Sequence, residues 1–149
     1  RQMCIRDRVE KAMNKHQEHQ YFVKTIIKQI LMAEPDAFKN WKCSIHDNSV
    51  MGLPETKDRR AGLRLVVEGS KHKGPVYVNL TWADDYKIQL IDKNENVIST
   101  TERVYAPELC RVLDMKIDKG TDTTVQDLVP VVEESDGVIS VDFKAPLLN

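Results

Sequence analysis

From Glu18 to Met32 the apolar residues Phe22, Ile26 and Ile30 recur every fourth position, beside a second row of Val23, Ile27 and Leu31. Lys24, Thr25, Lys28 and Gln29 between them are polar, so the spacing predicts an amphipathic helix with a wide buried stripe. Pro35 ends it, because the residue before a proline is pushed out of the helical region. Asp36 is positioned to cap a short second helix, Ala37–Trp41, with Phe38 and Trp41 three apart on its inner face.

The period then changes from near four to two. A short strand is expected at Lys42–His46, followed by turn-forming Asp47-Asn48-Ser49 and Gly52-Leu53-Pro54, and by a charged loop over Glu55–Arg60. Four segments of strand character follow. Ala61–Glu68 puts Leu63, Leu65 and Val67 on one face and Arg64 and Glu68 on the other. Pro75–Trp82 groups Val76, Val78, Leu80 and Trp82 against Tyr77, Asn79 and Thr81. Tyr86–Asp92 groups Tyr86, Ile88 and Leu90, and Val97–Tyr105 alternates Ile98 and Val104 with Thr and Glu. Alternation of β-branched and aromatic residues marks half-buried antiparallel strands, and the polar connections Ser70–Gly74, Ala83–Asp85 and Lys93–Asn96 have hairpin length.

Ala106-Pro107-Glu108 opens another helix, with Leu109, Val112 and Leu113 on one face and Lys119-Gly120 as the stop. Val125–Val132 reads as strand or as helix, with Pro130 unsuited to the middle of either. Ser135-Asp136-Gly137 signals a tight turn before the alternating Val138–Phe143, which favours a C-terminal hairpin over a helix plus strand. The expected fold class is α+β. A long N-terminal helix packs on a four- to five-stranded antiparallel meander sheet, with a short helix after the meander and a C-terminal hairpin.

The chain has 149 residues, 41% hydrophobic and 30% charged, with 22 Lys+Arg against 23 Asp+Glu, which excludes a disordered acidic tail and a histone-like polycation. The run Arg1–Arg8 resembles the translated remnant of a sequencing adapter, so residues 1–8 are set aside as a non-native leader and residues 9–149 are expected to form one domain. Without the leader 19 basic and 22 acidic residues remain, a net charge of −3. No apolar run is long enough to span a membrane and no secretory signal is visible, so a soluble cytoplasmic protein is expected. Cys43 and Cys110 are expected as reduced thiols.

Charge is unevenly distributed. Lys57–Lys73 carries six basic residues against Asp58 and Glu68, a net of +4, whereas Gly120–Phe143 carries six acidic residues and no Lys or Arg, a net of −6. The basic stretch supplies the candidate phosphate-binding set: Arg59, Arg60, Arg64, Lys71 and Lys73, with Tyr77 as an aromatic on the same strand pair. If the strands before and after Ser70–Gly74 pair, Arg59 and Arg60 stand at one end of the sheet and Lys71–Lys73 at the other. Lys71–Pro75 followed by an alternating strand resembles the entry to a double-stranded RNA-binding domain. That family's lysine-rich final helix has no counterpart at Ala106–Val112, so its properties are not carried over.

Catalytic signatures are absent from the sequence. There is no GxSxG elbow, no phosphate-cradling glycine loop and no HExxH, and Cys43-x-x-His46 is too sparse for a metal site, so neither metal nor cofactor is expected. The expected function is a small non-enzymatic binding or accessory protein, of a size that suits a phage-type accessory role. Its partner would be a protein or a phosphate-bearing ligand, nucleic acid or nucleotide, with a homo-oligomer compatible. A nucleic-acid-binding protein is one alternative. The other is a small hydrolase or nuclease assembled from His46, Asp47, His72 and the pair Asp84/Asp85.

Overall fold

The computed structural model describes residues 15–43, 49–118, 129–135 and 138–144. Helix α1 (Lys15–Ala33) buries Val23, Ile26, Ile27 and Ile30 almost completely, which is the stripe that the four-residue spacing predicts. Its N-terminal half is tied to the sheet where the His19 ring bonds the Leu53 carbonyl at 2.6 Å. After Pro35 the chain makes the single-turn helix α2 (Ala37–Asn40), which buries Ala37 and Phe38. Asp36 occupies the cap position but makes no side-chain cap bond; its carboxylate pairs instead with Lys39 at 3.2 Å.

Seven antiparallel strands form one sheet among the described residues: β1 (Val50–Leu53), β2 (Ala61–Glu68), β3 (Lys73–Leu80), β4 (Tyr86–Ile91), β5 (Val97–Val104), β6 (Val129–Ser135) and β7 (Val138–Lys144). Their spatial order is β5-β4-β3-β2-β1-β7-β6, so the five-stranded meander and the C-terminal hairpin share β1 as a seam. The α+β class, the N-terminal helix on the sheet and the C-terminal hairpin are as the alternation predicts.

Particular segments differ. Gly52 and Leu53 lie in a strand, not a turn, because β1 has a neighbour on each side and needs no long run of its own to be held. Gly52 faces α1, and a Cβ there would stand 3.1 Å from Val23 Cγ1, so the glycine permits the close crossing. Lys42 sits in a turn at φ 62°, and the chain after α2 does not continue as a strand there; residues 44–48 lie outside the described part. Trp82 falls in the turn after β3 and is half exposed, so it does not continue the buried row of Val76, Val78 and Leu80. Ile98 is 58% exposed, since β4 and β5 pair with two register shifts that break the alternation on this outer strand.

A 3₁₀ turn at Ala106–Glu108 leads into α3 (Leu109–Ile117), which buries Leu109, Leu113 and Ile117. The chain leaves α3 through Asp118 at φ 61°; the expected Lys119-Gly120 stop lies outside the described residues. Pro130 is tolerated because, among the described residues, β6 pairs only with β7, so one missing donor costs little at that edge. Residues 125–128 and the Asp136-Gly137 turn lie outside the described part. α1 packs on the sheet's inner face and α3 packs against α1, and their buried residues form one core with Leu63, Leu65, Val76, Val78, Ile88, Ile139 and Val141. No helix among the described residues is long and apolar enough to cross a membrane.

Candidate functional site

The register fixes what the opposite, outer face presents. One row crosses the whole sheet: Glu133 on β6, Ser140 on β7, Met51 on β1, Arg64 on β2, Tyr77 on β3, Gln89 on β4 and Thr100 on β5. Neighbours in such a row have side chains in contact range, so Tyr77 stands between Arg64 and Gln89. One step along β3, Asn79 pairs with Gly62 on one side and Lys87 on the other.

Asn79 is a buried polar side chain with its hydrogen bonds satisfied. Its Nδ2 donates to the Lys87 carbonyl and to Gln89 Oε1, both at 3.1 Å, which leaves Oδ1 to accept from Arg59 Nη1 at 3.2 Å. Arg59 Nε donates to the Pro54 carbonyl at 2.8 Å, so the guanidinium is held at two points by neutral acceptors. Burial lowers the Arg59 pKa from its ordinary value, opposed by the nearby Tyr77 and Asp58, and the group stays charged at neutral pH.

The loop carrying Arg59 is itself pinned. Thr56 and Arg59 exchange backbone bonds of 3.0 and 3.3 Å, Asp58 N–H donates to Thr56 Oγ1, and Trp82 Nε1 donates to the Thr56 carbonyl. Beneath it lies a cleft of about 330 Å³ lined by Thr56–Arg59, Asn79, Lys87 and Gln89. Three cations, Lys57, Arg59 and Lys87, share this cleft with Asp58. Among the described residues, none of the ion pairs involves Arg59, Arg64, Lys73 or Lys87.

The sequence-predicted set divides. Arg59, Arg64, Tyr77 and Lys73 belong to the outer face of β2, β3 and the loop before them, with Lys73 at the far end of β3 opposite Glu68. Arg60 turns away: it pairs with Asp84 at 2.8 Å, and its guanidinium lies 5.1 Å from the Phe22 ring centre and 5.5 Å from that of Trp82. Lys71 reaches the C-terminal end of α3, with its backbone N–H on the Ile117 carbonyl and its ammonium 3.4 Å from the Met115 carbonyl. Arg59 and Lys71–Lys73 do stand at opposite ends of the β2–β3 pair.

Lys87, Asn79 and Gln89 were absent from the sequence-derived set. The signal for them lay in the Ala83–Asp85 turn, whose hairpin register places Lys87 beside Asn79 and Gln89 beside Tyr77.

The hydrolase constellation does not gather among the described residues. His72 is buried at the β2–β3 turn, where its ring meets the Pro75 carbonyl, while Asp84 and Asp85 lie beyond the other end of β3. At strand rise, eight residues separate them by roughly 25 Å. Asp84 is engaged with Arg60 and Asp85 accepts from Thr81 Oγ1; His46 and Asp47 lie outside the described part. Cys43 and Cys110 are free thiols, and no group of three metal-ligating side chains occurs among the described residues.

The acidic C-terminal residues find partners away from the basic stretch: Glu133 pairs with Lys144 and Glu134 with Lys24. Beside that edge, an apolar groove of about 520 Å³ runs between α1 and Val132 of β6. Comparison with known protein families, with curated proteins and with solved structures found no match.

Proposed function

We propose that this chain is a small non-enzymatic binding protein and that the cleft under Arg59 takes a phosphate group of its ligand. The observation that supports this reading is the state of Arg59 itself. Its guanidinium is partly desolvated and anchored by two neutral oxygens, with no carboxylate in ion-pair range among the described residues, and Lys57 and Lys87 line the same cleft. A cation partly withdrawn from water, with Asp58 nearby but outside ion-pair range, gains more from an incoming anion than an exposed one does. The buried Asn79 amide has no apolar reason to be in a sheet, and its role of orienting Arg59 gives it one.

The test is calorimetric titration with inorganic tripolyphosphate at low and at physiological salt. Binding that weakens as salt rises and is lost in Arg59→Ala and Lys87→Ala, but kept in Arg60→Ala, is the expected result. Absence of binding at low salt, or equal loss in the Arg60 variant, overturns it.

A further inference from the structure

Resting on the phosphate reading of the Arg59 cleft, we infer that the ligand is a single-stranded nucleic acid lying along the outer face of β3, with one base stacked on Tyr77. Three observations point along the same line. Arg59 is fixed over Asn79 at one end of β3, Lys73 stands exposed at the other, and Tyr77 lies between them with Arg64 as its cross-strand neighbour. Asn79 to Lys73 is six strand residues, about 20 Å, which is a length of several nucleotides and too long for one phosphate group. An aromatic ring between cations spaced along a line is the arrangement that single strands use, because every base offers a π-face while Lys and Arg follow the backbone.

A duplex fits this face poorly. Its bases are stacked internally and would leave Tyr77 without a partner, and the alternative cations Arg60 and Lys71 that could widen the contact are engaged with Asp84 and with the end of α3. Toward β7 and β6 the outer face carries Asp142 and Glu133 with Lys144 as the basic residue beside them, whereas the cations outside any ion pair among the described residues, Arg59, Arg64, Lys73 and Lys87, lie on the loop before β2 and on β2–β4. That distribution confines the strand to the β2–β4 half.

Fluorescence anisotropy with labelled oligo(dT) and oligo(U) of one to eight nucleotides tests this, with inorganic tripolyphosphate as a phosphate-only competitor. Affinity is expected to rise steeply up to about four nucleotides and to level off after that. Tyr77→Leu is expected to weaken the oligonucleotides roughly tenfold while leaving tripolyphosphate unchanged, and Tyr77→Phe to restore them. Lys73→Ala is expected to reduce the salt slope for oligonucleotides by about 0.7. The inference is overturned if affinity does not depend on length, if a duplex of the same length binds as tightly, or if Tyr77→Leu changes nothing. Tripolyphosphate binding that depends on Arg59 would then still stand; its loss would remove the phosphate reading as well.

Discussion

Arg59 and Arg60 are adjacent in the chain and part company in the fold: Arg59 Nη1 bonds Asn79 Oδ1 at 3.2 Å on the outer face, while Arg60 Nη1 bonds Asp84 Oδ1 at 2.8 Å. Arg60 also lies against two rings, Phe22 of α1 and Trp82 of the β3–β4 turn, so it joins the helix to the sheet end. Arg60→Ala is expected to lower stability by about 1–2 kcal/mol, through lost cation–π and stem packing more than through the partly exposed ion pair. Urea denaturation measures this, and phosphate binding in the same variant should match the parent chain.

Gly69 marks the tightest approach between the β2–β3 turn and the last helix. A Cβ there would stand 2.1 Å from the Ile117 carbonyl oxygen and 2.4 Å from that of Asp118, both backbone atoms that cannot swing aside. Gly69→Ala is expected to displace the end of α3 and cost more than about 3 kcal/mol. A melting temperature within a few degrees of the parent would contradict it.

Trp41 binds α2 to α3 by donating Nε1–H to Asp114 Oδ1 at 3.1 Å, while its ring packs edge-on against Phe38. Asp114→Ala removes one partly exposed bond and is expected to cost about 1 kcal/mol. Trp41→Ala empties a fully buried site and is expected to cost about 3–5 kcal/mol. The two losses, measured by denaturation, separate the hydrogen bond from the packing.

Burial pushes the Cys43 thiol far up from its ordinary value, and Cys110 is raised by burial together with Asp114 and Glu34. The thiolate is the reactive form, so alkylation of the native protein at neutral pH should spare Cys43 and modify Cys110 slowly. Peptide mapping by mass spectrometry reads both. Cys43 labelled at the rate of a free thiol would mean that the inner face opens readily.

Burial raises the Tyr86 hydroxyl to about 12. The folded state therefore holds this proton more tightly than the unfolded chain, whose tyrosine titrates near 10. Its contribution to stability is complete below pH 10 and is lost as pH rises through about 12. Absorbance at 295 nm should show a late-titrating tyrosine that is missing in Tyr86→Phe, and that variant's stability should fall less steeply over the same pH range.

The amphipathic stripe of α1 and the alternation of β2, β3 and β4 are legible from the sequence because each repeats a period over six residues or more. β1 is not legible. Four residues that include a glycine carry no period, and what makes them a strand is the pairing of Val50–Leu53 with β2 and of Met51 with Ser140. The exposure of Ile98 follows from register shifts in the β4–β5 pair, which are a property of two strands together.

For the candidate site, charge counting along Lys57–Lys73 picks out a basic stretch but does not say which of its members share a face. Local period places Arg64 and Tyr77 on the outer face, and the β2–β3 hairpin makes them neighbours. No local rule sends Arg59 to Asn79 and Arg60 to Phe22 and Asp84, since both precede the strand in a loop whose path is set by Trp82 and Thr56. Nor does any rule on charge alone show that Lys71 is held by the end of α3, forty-odd residues later.

By itself, then, the sequence determined the fold class, the buried stripe of α1 and which face each of the long strands turns inward, because helix and strand periods are local properties of the chain. The tertiary structure alone decided that β1 joins the meander to the C-terminal hairpin, and that Asn79, Lys87 and Gln89 converge under Arg59 while Arg60 and Lys71 are drawn elsewhere. Those outcomes depend on strand register and on contacts between residues 8 to 89 positions apart, where the free energy of pairing and burial outweighs any local preference.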